Sequence, residues 1–433
     1  MTTNDKKVQR LISFASTEGT MVESIQDENG STRLAISNDG EVHLADHWEY
    51  GDARYVPIRS THNLLKHGAI KLPGPPVPYS SPAELLADIE AYSRRYVSLS
   101  DTFAKVAAAY VLLTWVHDAF NELPYLRFRG DYGSGKTRAL IVFGSICYKG
   151  FFASGASTVS PIFHTLDAFK GTLIFDEADF RFTDEKAELV KILNNGNVKG
   201  FSVLRTQVTA SKEFEPRAFT VFGPKIVGMR GAYEDKALES RFLTAEMSGQ
   251  RLSADIPISL PADQEQEARE LRSKLLMYRF CERNKTAVDP ALADPFLEPR
   301  MNQVLLPLLS VAPAAEVQRA IRGYADQVQE TALSDRLNST EGQLLSVIAA
   351  ALASGAKGSL PLKTIVTAFT EHFGGEYDRP ITHRFLGNVL RNRLGLPLYK
   401  TAGVVAVSLK DMPRIEALLA RYGISESMWK NAG

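Results

Sequence analysis

The stretch "GDYGSGKT", Gly130 to Thr137, leaves few folds open to this chain. The alternating "PYLRFRG" before it predicts a strand, and the apolar "RALIVFGSICY" after it predicts a helix. Glycines in such a turn let several backbone N–H groups converge on one point, and the helix N-terminus adds partial positive charge. The pattern G-x-x-x-x-G-K-[ST] in this context predicts a phosphate-binding loop. Its expected nucleotide contacts are Gly130, Asp131, Tyr132, Gly133, Ser134, Gly135, Lys136, Thr137 and Arg138.

Two carboxylates follow a buried strand about 40 residues later. The run "TLIF", Thr172 to Phe175, is typical of a central parallel strand, and Asp176 and Glu177 stand at its end. Thr137 and Asp176 supply hard oxygen ligands, so they are the predicted Mg²⁺ site. Glu177 is predicted to orient and activate an attacking water, and Lys136 to contact the β- and γ-phosphates. The expected ligands are therefore ATP and Mg²⁺.

The letters from Asp176 to Asp179 also spell D-E-A-D, the name of an RNA helicase family. In that family the two nucleotide motifs lie far apart and a second RecA-like domain follows. Here the intervening residues hold only a helix, a strand and a helix, and this compact run resembles the AAA+ core and superfamily 3 helicases. Asp179 either caps the next helix or takes part in catalysis. Residues Ser81 to Pro313 resemble the MCM-like ATPases carried by prophages and other mobile elements.

The resemblance implies a DNA-gripping hairpin after the second motif. We expect it around Val198 to Arg205, with Lys199 and Arg205 contacting DNA phosphates. The alternative is that both are solvated charges on an exposed turn. A strand from about Ala218 to Gly228 is expected next, with Arg230 in the position of the residue that senses nucleotide.

Two further arginines are expected to contact ATP. In "ALESRF", Arg241 matches the arginine finger of AAA+ rings, which reaches the ATP site of the neighbouring subunit. Local pairing with Glu239 or Asp235 is the alternative. In "EPRMNQVLLPLLSVAP", Arg300 matches a lid arginine that senses the γ-phosphate, unless it is an ordinary surface arginine. The resemblance thus implies a homo-oligomeric ring, expected to be a hexamer.

The fold class expected from these elements is α/β: a P-loop NTPase of AAA+ type with a parallel central sheet. A β-rich region is expected over residues 1–72, with a hairpin at Asn38-Asp39-Gly40. Five prolines in Lys71 to Pro82 predict a stiff linker and a domain boundary. A helical segment over 81–121, the ATPase core over 122–255 and a helical lid over 256–332 follow.

Residues 338–433 are expected to form a winged-helix domain that binds DNA. Three helices precede an alternating segment, "PLYKTAGVVAVSL", that predicts a two-stranded wing. The third helix and the wing carry the predicted nucleic-acid residues Arg384, Arg391, Arg393 and Lys400. Because winged helices also dock proteins, a protein partner in replication or recombination is the alternative.

Composition limits the remaining possibilities. Lys+Arg and Asp+Glu are both 50, so a nucleic-acid site must be a local patch rather than a property of the whole surface. Two cysteines, Cys147 and Cys281, offer no disulfide framework and fit a reducing cytoplasm. The apolar run Val106 to Val116 is shorter than the roughly 20 residues of a membrane span, so no membrane association is expected.

Two functions fit these motifs. The first is an ATP-driven DNA motor, a ring-forming replicative-type helicase of a mobile element. The second is an ATP-switched DNA-binding scaffold that recruits a nuclease, a recombinase or a replication protein without unwinding DNA. The first predicts DNA-stimulated ATP hydrolysis with strand separation, and the second predicts ATP-dependent assembly on intact duplex.

Overall fold

A computed structural model describes residues 7–176, 184–208, 213–247, 255–401, 403–410 and 412–430 of the 433-residue chain. Two compact units are present, Met1–Tyr324 and Ala325–Gly433. None of the helices in the described ranges combines the length and the apolar character needed to cross a membrane. The chain is a mixed α/β protein, as the sequence predicts.

The first unit begins with two small sheets. Their strands are β1 (Lys7–Leu11), β2 (Ser13–Ala15), β3 (Thr20–Gln26), β4 (Thr32–Asn38), β5 (Glu41–Ala45), β6 (Trp48–Tyr50) and β7 (Ala53–Pro57). One sheet has the order β2-β3-β4-β5 and the other β1-β7-β6. The predicted hairpin joins β4 to β5, where Asp39 and Gly40 both adopt positive φ.

Helices and the central sheet come next. The elements are α1 (Asn63–Lys66), α2 (Pro82–Tyr96), α3 (Asp101–Trp115), β8 (Tyr125–Arg129), α4 (Lys136–Ile146), β9 (Phe151–Ser154), α5 (Val159–Phe169), β10 (Leu173–Asp176), α6 (Asp184–Asn195), β11 (Val203–Val208), β12 (Phe214–Phe219), β13 (Lys225–Met229), α7 (Lys236–Glu239) and β14 (Phe242–Glu246). Five strands pair in parallel in the order β14-β8-β13-β10-β9. The predicted compact run of strand, helix, strand, helix and strand is therefore present from β8 to β10.

Three long helices complete the first unit and lead into the second: α8 (Asp263–Glu282), α9 (Pro299–Val311) and α10 (Ala315–Asn338). Within the residues that the structure describes, short 3-10 turns lie at His117–Ala119, Pro290–Leu292, Gly374–Glu376 and Glu426–Met428. The boundary between the compact units falls inside α10, near the predicted end of the lid.

The second unit contains the three helices and two strands predicted from the sequence, together with a strand after the first helix and a final helix that were not predicted. Its elements are α11 (Thr340–Ala353), β15 (Ser359–Pro361), α12 (Leu362–Phe373), α13 (His383–Asn388) continued by a π-helical turn (Val389–Arg393), β16 (Leu398–Thr401), β17 (Val404–Ser408) and α14 (Met412–Arg421). The three strands form an antiparallel sheet in the order β15-β17-β16. Its apolar core is separate from that of the central sheet.

The proline-rich segment Lys71–Pro82 is extended, but it does not separate two compact units. It runs along α8, where the Val77 N–H donates to the Ser273 carbonyl at 3.1 Å. The Arg272 guanidinium donates to the Leu72 carbonyl at 3.2 Å. The predicted domain boundary does not fall at this segment, because hydrogen bonds to its backbone attach it to α8.

A buried charge network joins the N-terminal sheets to the rest of the first unit. Glu23 on β3 is fully buried, and its Oε2 lies 2.8 Å from Lys149 Nζ. Its Oε1 accepts from Arg279 Nε on α8 at 2.9 Å and from the Tyr148 hydroxyl at 2.7 Å. Arg279 also pairs with Asp118. Burial lowers the pKa of Lys149 to about 8, although the charge of Glu23 opposes this.

We expect Glu23→Ala to lower the free energy of unfolding by about 3–5 kcal/mol, because it leaves buried cations without their carboxylate. The matched control is Glu28→Ala, since Glu28 is an exposed glutamate between β3 and β4. Chemical denaturation of both variants measures the effect. A loss no larger for Glu23→Ala than for the control would show that the network contributes no stability.

Candidate nucleotide-binding site

The phosphate-binding loop lies between β8 and α4 at the carboxyl edge of the central sheet. Gly133 and Gly135 adopt positive φ, at 70° and 89°, a conformation that glycine reaches without strain. Gly135 directly precedes the first turn of α4, whose free N–H groups and dipole favour an anion. The loop side chain of Tyr132 is 81% exposed. The backbone therefore has the form that the sequence predicts for a phosphate cradle.

Lys136 is positioned over this loop. Its Nζ donates to the Gly130 carbonyl at 2.6 Å and to the Asp131 carbonyl at 2.7 Å, and it lies 3.5 Å from Ser134 Oγ. The ammonium group is thus held at the mouth of the loop by neutral acceptors. A phosphate oxygen offers this cation a stronger, charge-assisted hydrogen bond than a carbonyl does.

Thr137 and Asp176 come together from different elements, as predicted for a Mg²⁺ site. The Thr137 hydroxyl donates to Asp176 Oδ2 at 2.7 Å, from the first turn of α4 to the end of β10. The chemistry of this pair fits the metal, because Mg²⁺ prefers hard oxygen ligands from one or two protein groups and completes its shell with water and phosphate. A Cβ on Gly228 would lie 3.0 Å from Asp176 Oδ1 and 2.8 Å from Leu140 Cδ1, so glycine keeps this corner open.

A cavity of about 270 Å³ opens beside this pair. Its lining residues come from α4 and from the carboxyl ends of β9 and β10: Thr137, Leu140, Ile141, Phe152, Ala153, Ser154, Ser157, Ile174 and Asp176. Glu177, the predicted water-activating residue, and Asp179 lie outside the described residues. Their sequence positions directly follow β10.

Two arginines near the loop have other contacts. The Arg138 guanidinium donates to the backbone carbonyls of Pro257 and Ile258, so it anchors the segment before α8 instead of facing the phosphate cradle. Arg230, the predicted nucleotide-sensing residue after β13, lies with its guanidinium carbon 3.5 Å from the centre of the Tyr132 ring. Arg230 is therefore adjacent to the loop. Arg138 was predicted to contact the nucleotide, but its observed contacts are with the segment before α8.

Arg241 lies at the opposite edge of the sheet. Its Nη1 donates to the Asn194 carbonyl and to Asn194 Oδ1, both at 2.8 Å, at the C-terminus of α6. Its own carbonyl accepts from the Tyr125 N–H, where β8 begins. Five residue steps from Tyr125 to Gly130, or about 16 Å of extended chain, separate this end from the predicted phosphate-binding loop. Arg241 therefore lies away from the predicted phosphate site of its own chain.

The predicted alternative partner of Arg241, Glu239, pairs elsewhere. Glu239 accepts two hydrogen bonds from Arg127, which is 3% exposed, and lies 3.6 Å from Arg129. Burial raises the pKa of Glu239, but the hydrogen bonds and charge of Arg127 outweigh burial and leave that pKa below its usual value. These contacts fix α7, which ends two residues before Arg241, to β8, the strand that leads into the loop.

Arg300, in the first turn of α9, donates from its guanidinium to Gln303 on the same helix. Burial lowers the pKa of Arg300, and the nearby charge of Arg241 lowers it further. The negative charge of Glu122, just before β8, acts in the opposite direction and raises that pKa. The expectation that Arg300 senses the γ-phosphate stays a prediction.

Both cations predicted for the hairpin, Lys199 and Arg205, have partners within their own chain. The hairpin itself is formed by β11 and β12, so it begins five residues and ends fourteen residues later than the predicted range Val198 to Arg205. Lys199 precedes it, donates to the Asp118 carbonyl at 2.8 Å and lies over the Phe222 ring. Arg205, on β11, pairs with Glu188 at 3.1 Å. Instead of one predicted strand over 218–228, the structure has the end of β12 followed by the separate strand β13.

The predicted nucleic-acid residues of the second unit divide into two groups. Arg384 and Lys400 are exposed, and so is Arg391, whose Nε donates to the Gly387 carbonyl at 3.2 Å. Arg393 instead pairs with Glu341 on α11 at 3.2 Å. The first three offer charge to an external partner, whereas the charge of Arg393 is partly neutralised within the unit.

Sequence reasoning missed Asn194 and Arg127, which hold Arg241 and α7 in place. Asn194 also donates from Nδ2 to Asp235 Oδ2 at 3.2 Å. The only sequence signal was an asparagine pair, Asn194-Asn195, at a predicted helix end. Arg127 gave a weaker signal, since an arginine in a central parallel strand needs a buried carboxylate partner.

Comparison with known proteins adds distant structural similarities. No protein-family model and no curated protein match the chain. The apo C-terminal region of NrS-1 is similar over 89% of this chain and 96% of its own, with 13% identity and a TM-score of 0.38. Cdc6p from Pyrobaculum aerophilum, at 12% identity, covers 76% of this chain and 96% of its own with a TM-score of 0.20. Drosophila ORC bound to DNA, also at 12% identity, covers 79% and 94% with a TM-score of 0.18.

Proposed function

We propose that this chain binds ATP with Mg²⁺ at the loop between β8 and α4 and hydrolyses it. The observation that carries this proposal is the hydrogen bond from Thr137 to Asp176, which brings both motifs to one edge of the sheet beside the lysine-bearing loop. A chance glycine-rich turn would not place a carboxylate from a second parallel strand against the threonine. The compact order of elements supports an ATPase of AAA+ type.

Each residue has a role set by its position. The loop N–H groups and Lys136 bind the phosphates, and Thr137 and Asp176 hold Mg²⁺. Bound Mg²⁺ would neutralise charge on the β- and γ-phosphate oxygens. Glu177, next after Asp176, is the proposed residue that orients the attacking water and accepts its proton.

A second copy of the chain completes the site in this proposal. Arg241 lies at the amino edge of the sheet, away from the loop of its own chain, and its positive charge acts on Arg300. A guanidinium group at this edge favours an anion, and the γ-phosphate bound by another copy is the anion that the site chemistry supplies. Copies meeting head to tail in this way form a closed ring when the rotation permits it.

The second unit supplies the DNA contact. Its order of helix, strand, helix, helix and two strands supports the proposal of a winged helix, with α13 and the π-helical turn as the groove-facing helix. The exposed Arg384, Arg391 and Lys400 suit phosphate contacts. The proposed function is therefore an ATP-driven DNA motor, a ring-forming helicase of the replicative type. ATP hydrolysis that is indifferent to DNA would overturn it.

One observation favours the second candidate, an ATP-switched scaffold on duplex DNA. Arg205 pairs with Glu188 and Lys199 donates to the Asp118 carbonyl, so both cations already have partners in their own chain. A forked DNA substrate separates the candidates. The motor releases a single strand in the presence of ATP, whereas the scaffold assembles on the duplex and leaves both strands paired.

We expect the double variant Arg384→Ala and Arg391→Ala to bind duplex DNA at least tenfold more weakly at moderate salt. Each lost phosphate contact should also reduce the slope of log K against log salt by about one. The matched control is Arg393→Ala, whose guanidinium pairs with Glu341. Titrations of labelled duplex at several salt concentrations measure both effects. Equal losses in the control and the double variant would contradict the assignment.

A further inference from the structure

The β11–β12 hairpin has two chemically different faces. In its register Leu204 lies opposite Ala218, Thr206 opposite Pro216, and Val208 opposite Phe214. Residues directly opposite in an antiparallel pair share a face. These six residues therefore form one face, here called the outer face, and none of the six carries a charge. The other face holds the register pairs Val203–Phe219, Arg205–Arg217 and Gln207–Glu215.

The charged face is turned toward the protein. Arg205 binds Glu188 on α6 and its guanidinium carbon lies 5.3 Å from the centre of the Phe163 ring on α5. Phe219 is fully buried and packs edge-on against Phe163, with ring centres 4.8 Å apart. These contacts hold the base of the hairpin and decide which face remains outside.

The outer face is open to solvent. Leu204 is 65% exposed, Val208 62% and Phe214 78%. A contiguous apolar patch of this kind is uncommon on a soluble monomer and marks an interaction site. A two-stranded ribbon is also marginal by itself, so a partner that covers one face stabilises it. The absence of cations on this face argues against a nucleic-acid backbone as that partner and favours an apolar protein surface.

The hairpin is continuous with the edge that carries Arg241. Arg205 is bound to Glu188 on α6, and Arg241 is bound to Asn194 on the same helix. Six residues of helix, or about 9 Å, separate these two attachment points. A second copy that receives Arg241 therefore comes close to the hairpin. The outer face is small beside the roughly 800 Å² that each partner buries in a stable interface, so it contributes one part of a larger contact.

We propose that the outer face of the β11–β12 hairpin packs against a second copy of this chain and is part of the contact through which copies assemble. This inference rests on the proposed function, because it requires two copies to meet at the edge of the sheet that carries Arg241. It assigns the hairpin to assembly, whereas the sequence predicts that it grips DNA.

The test is the double variant Leu204→Ser and Val208→Ser. Its matched control is Val8→Ser with Met428→Ser, because Val8 is 62% exposed and Met428 65% exposed and both belong to elements other than the hairpin. Sedimentation velocity over a range of protein concentrations, with and without ATP and Mg²⁺, measures assembly. We expect the hairpin variant to need at least tenfold more protein to assemble than the wild type, with no shift in the control. Unchanged thermal melting shows that both variants fold.

Other results overturn the proposal. Assembly of the hairpin variant equal to that of the control, or a wild-type chain that stays monomeric at every concentration, would exclude this contact. Unchanged assembly with weaker DNA binding would show that the face contacts nucleic acid instead. Binding of a fluorescent ATP analogue is measured in parallel. Loss of assembly with intact ATP binding supports the inference, and absence of ATP binding in the wild type contradicts the proposed function separately.

Discussion

The Lys136→Ala variant is expected to lose at least about 100-fold in the rate of ATP hydrolysis and to bind ATP more weakly, because a preorganised cation at the phosphates disappears. Among the residues that the structure describes, Lys136 Nζ contacts acceptors of its own loop, at Gly130, Asp131 and Ser134, so its loss should affect the site more than the fold. Steady-state hydrolysis and titration with a fluorescent ATP analogue measure the two effects.

Lys191→Ala is the matched control for Lys136→Ala, since Lys191 is an exposed lysine on α6. We expect it to hydrolyse ATP as the wild type does. If Lys136→Ala kept the hydrolysis rate and the ATP affinity of this control, the phosphate site would have to lie elsewhere in the chain.

Arg241→Ala is expected to lower the rate of hydrolysis about 1,000-fold while the affinity for ATP stays within a few fold of the wild type. An arginine that stabilises charge on the transferred phosphoryl group contributes on this scale to turnover and little to ground-state binding. Hydrolysis rates at saturating ATP, together with ATP titrations, separate the two. A variant that lost affinity and rate equally would indicate that Arg241 acts in the binding site of its own chain.

Structural damage needs a separate control at this position, because Arg241 also holds the C-terminus of α6 through Asn194. Arg241→Lys keeps the charge and a donor for these carbonyls, but it lacks the planar fork of the guanidinium. We expect it to melt as the wild type does and still to hydrolyse ATP slowly. Arg319→Ala, at an exposed position on α10, should change neither property.

The sequence predicts the elements around the candidate nucleotide site because the signals for them are local. A glycine-rich turn, the helix after it and a strand that ends in carboxylates each depend on a few neighbouring residues. The α/β class and the order of elements from β8 to β10 are confirmed for the same reason. The N-terminal cap of α2 is also a local feature. Ser81 directly precedes Pro82, the first residue of the helix, and its Oγ accepts a hydrogen bond from the Glu84 N–H.

The predicted position of the hairpin is wrong because a proline makes the sequence of its second strand look unlike a strand. Pro216 lies inside β12, and a proline in a strand-like run argues against a central strand. The rule does not exclude this site, since β12 has a neighbour on one side only and can lack a hydrogen-bond donor on the other.

Contacts between residues distant in sequence could not be predicted. Glu23 and Arg279 are 256 positions apart, and nothing in either neighbourhood indicates that they meet. The prolines of Lys71–Pro82 predict a stiff segment correctly, but the hydrogen bonds that attach it to α8 come from residues about 200 positions away.

Hydrolysis by an equal mixture of Lys136→Ala and Arg241→Ala chains tests most directly whether two copies share one ATP site. Neither variant alone can form a complete site. In the mixture the intact loop of an Arg241→Ala chain meets the intact Arg241 of a Lys136→Ala chain at about one quarter of head-to-tail contacts. The shared site therefore predicts that mixing restores roughly one quarter of the wild-type rate. A mixture no faster than the mean of the two variants alone would contradict it.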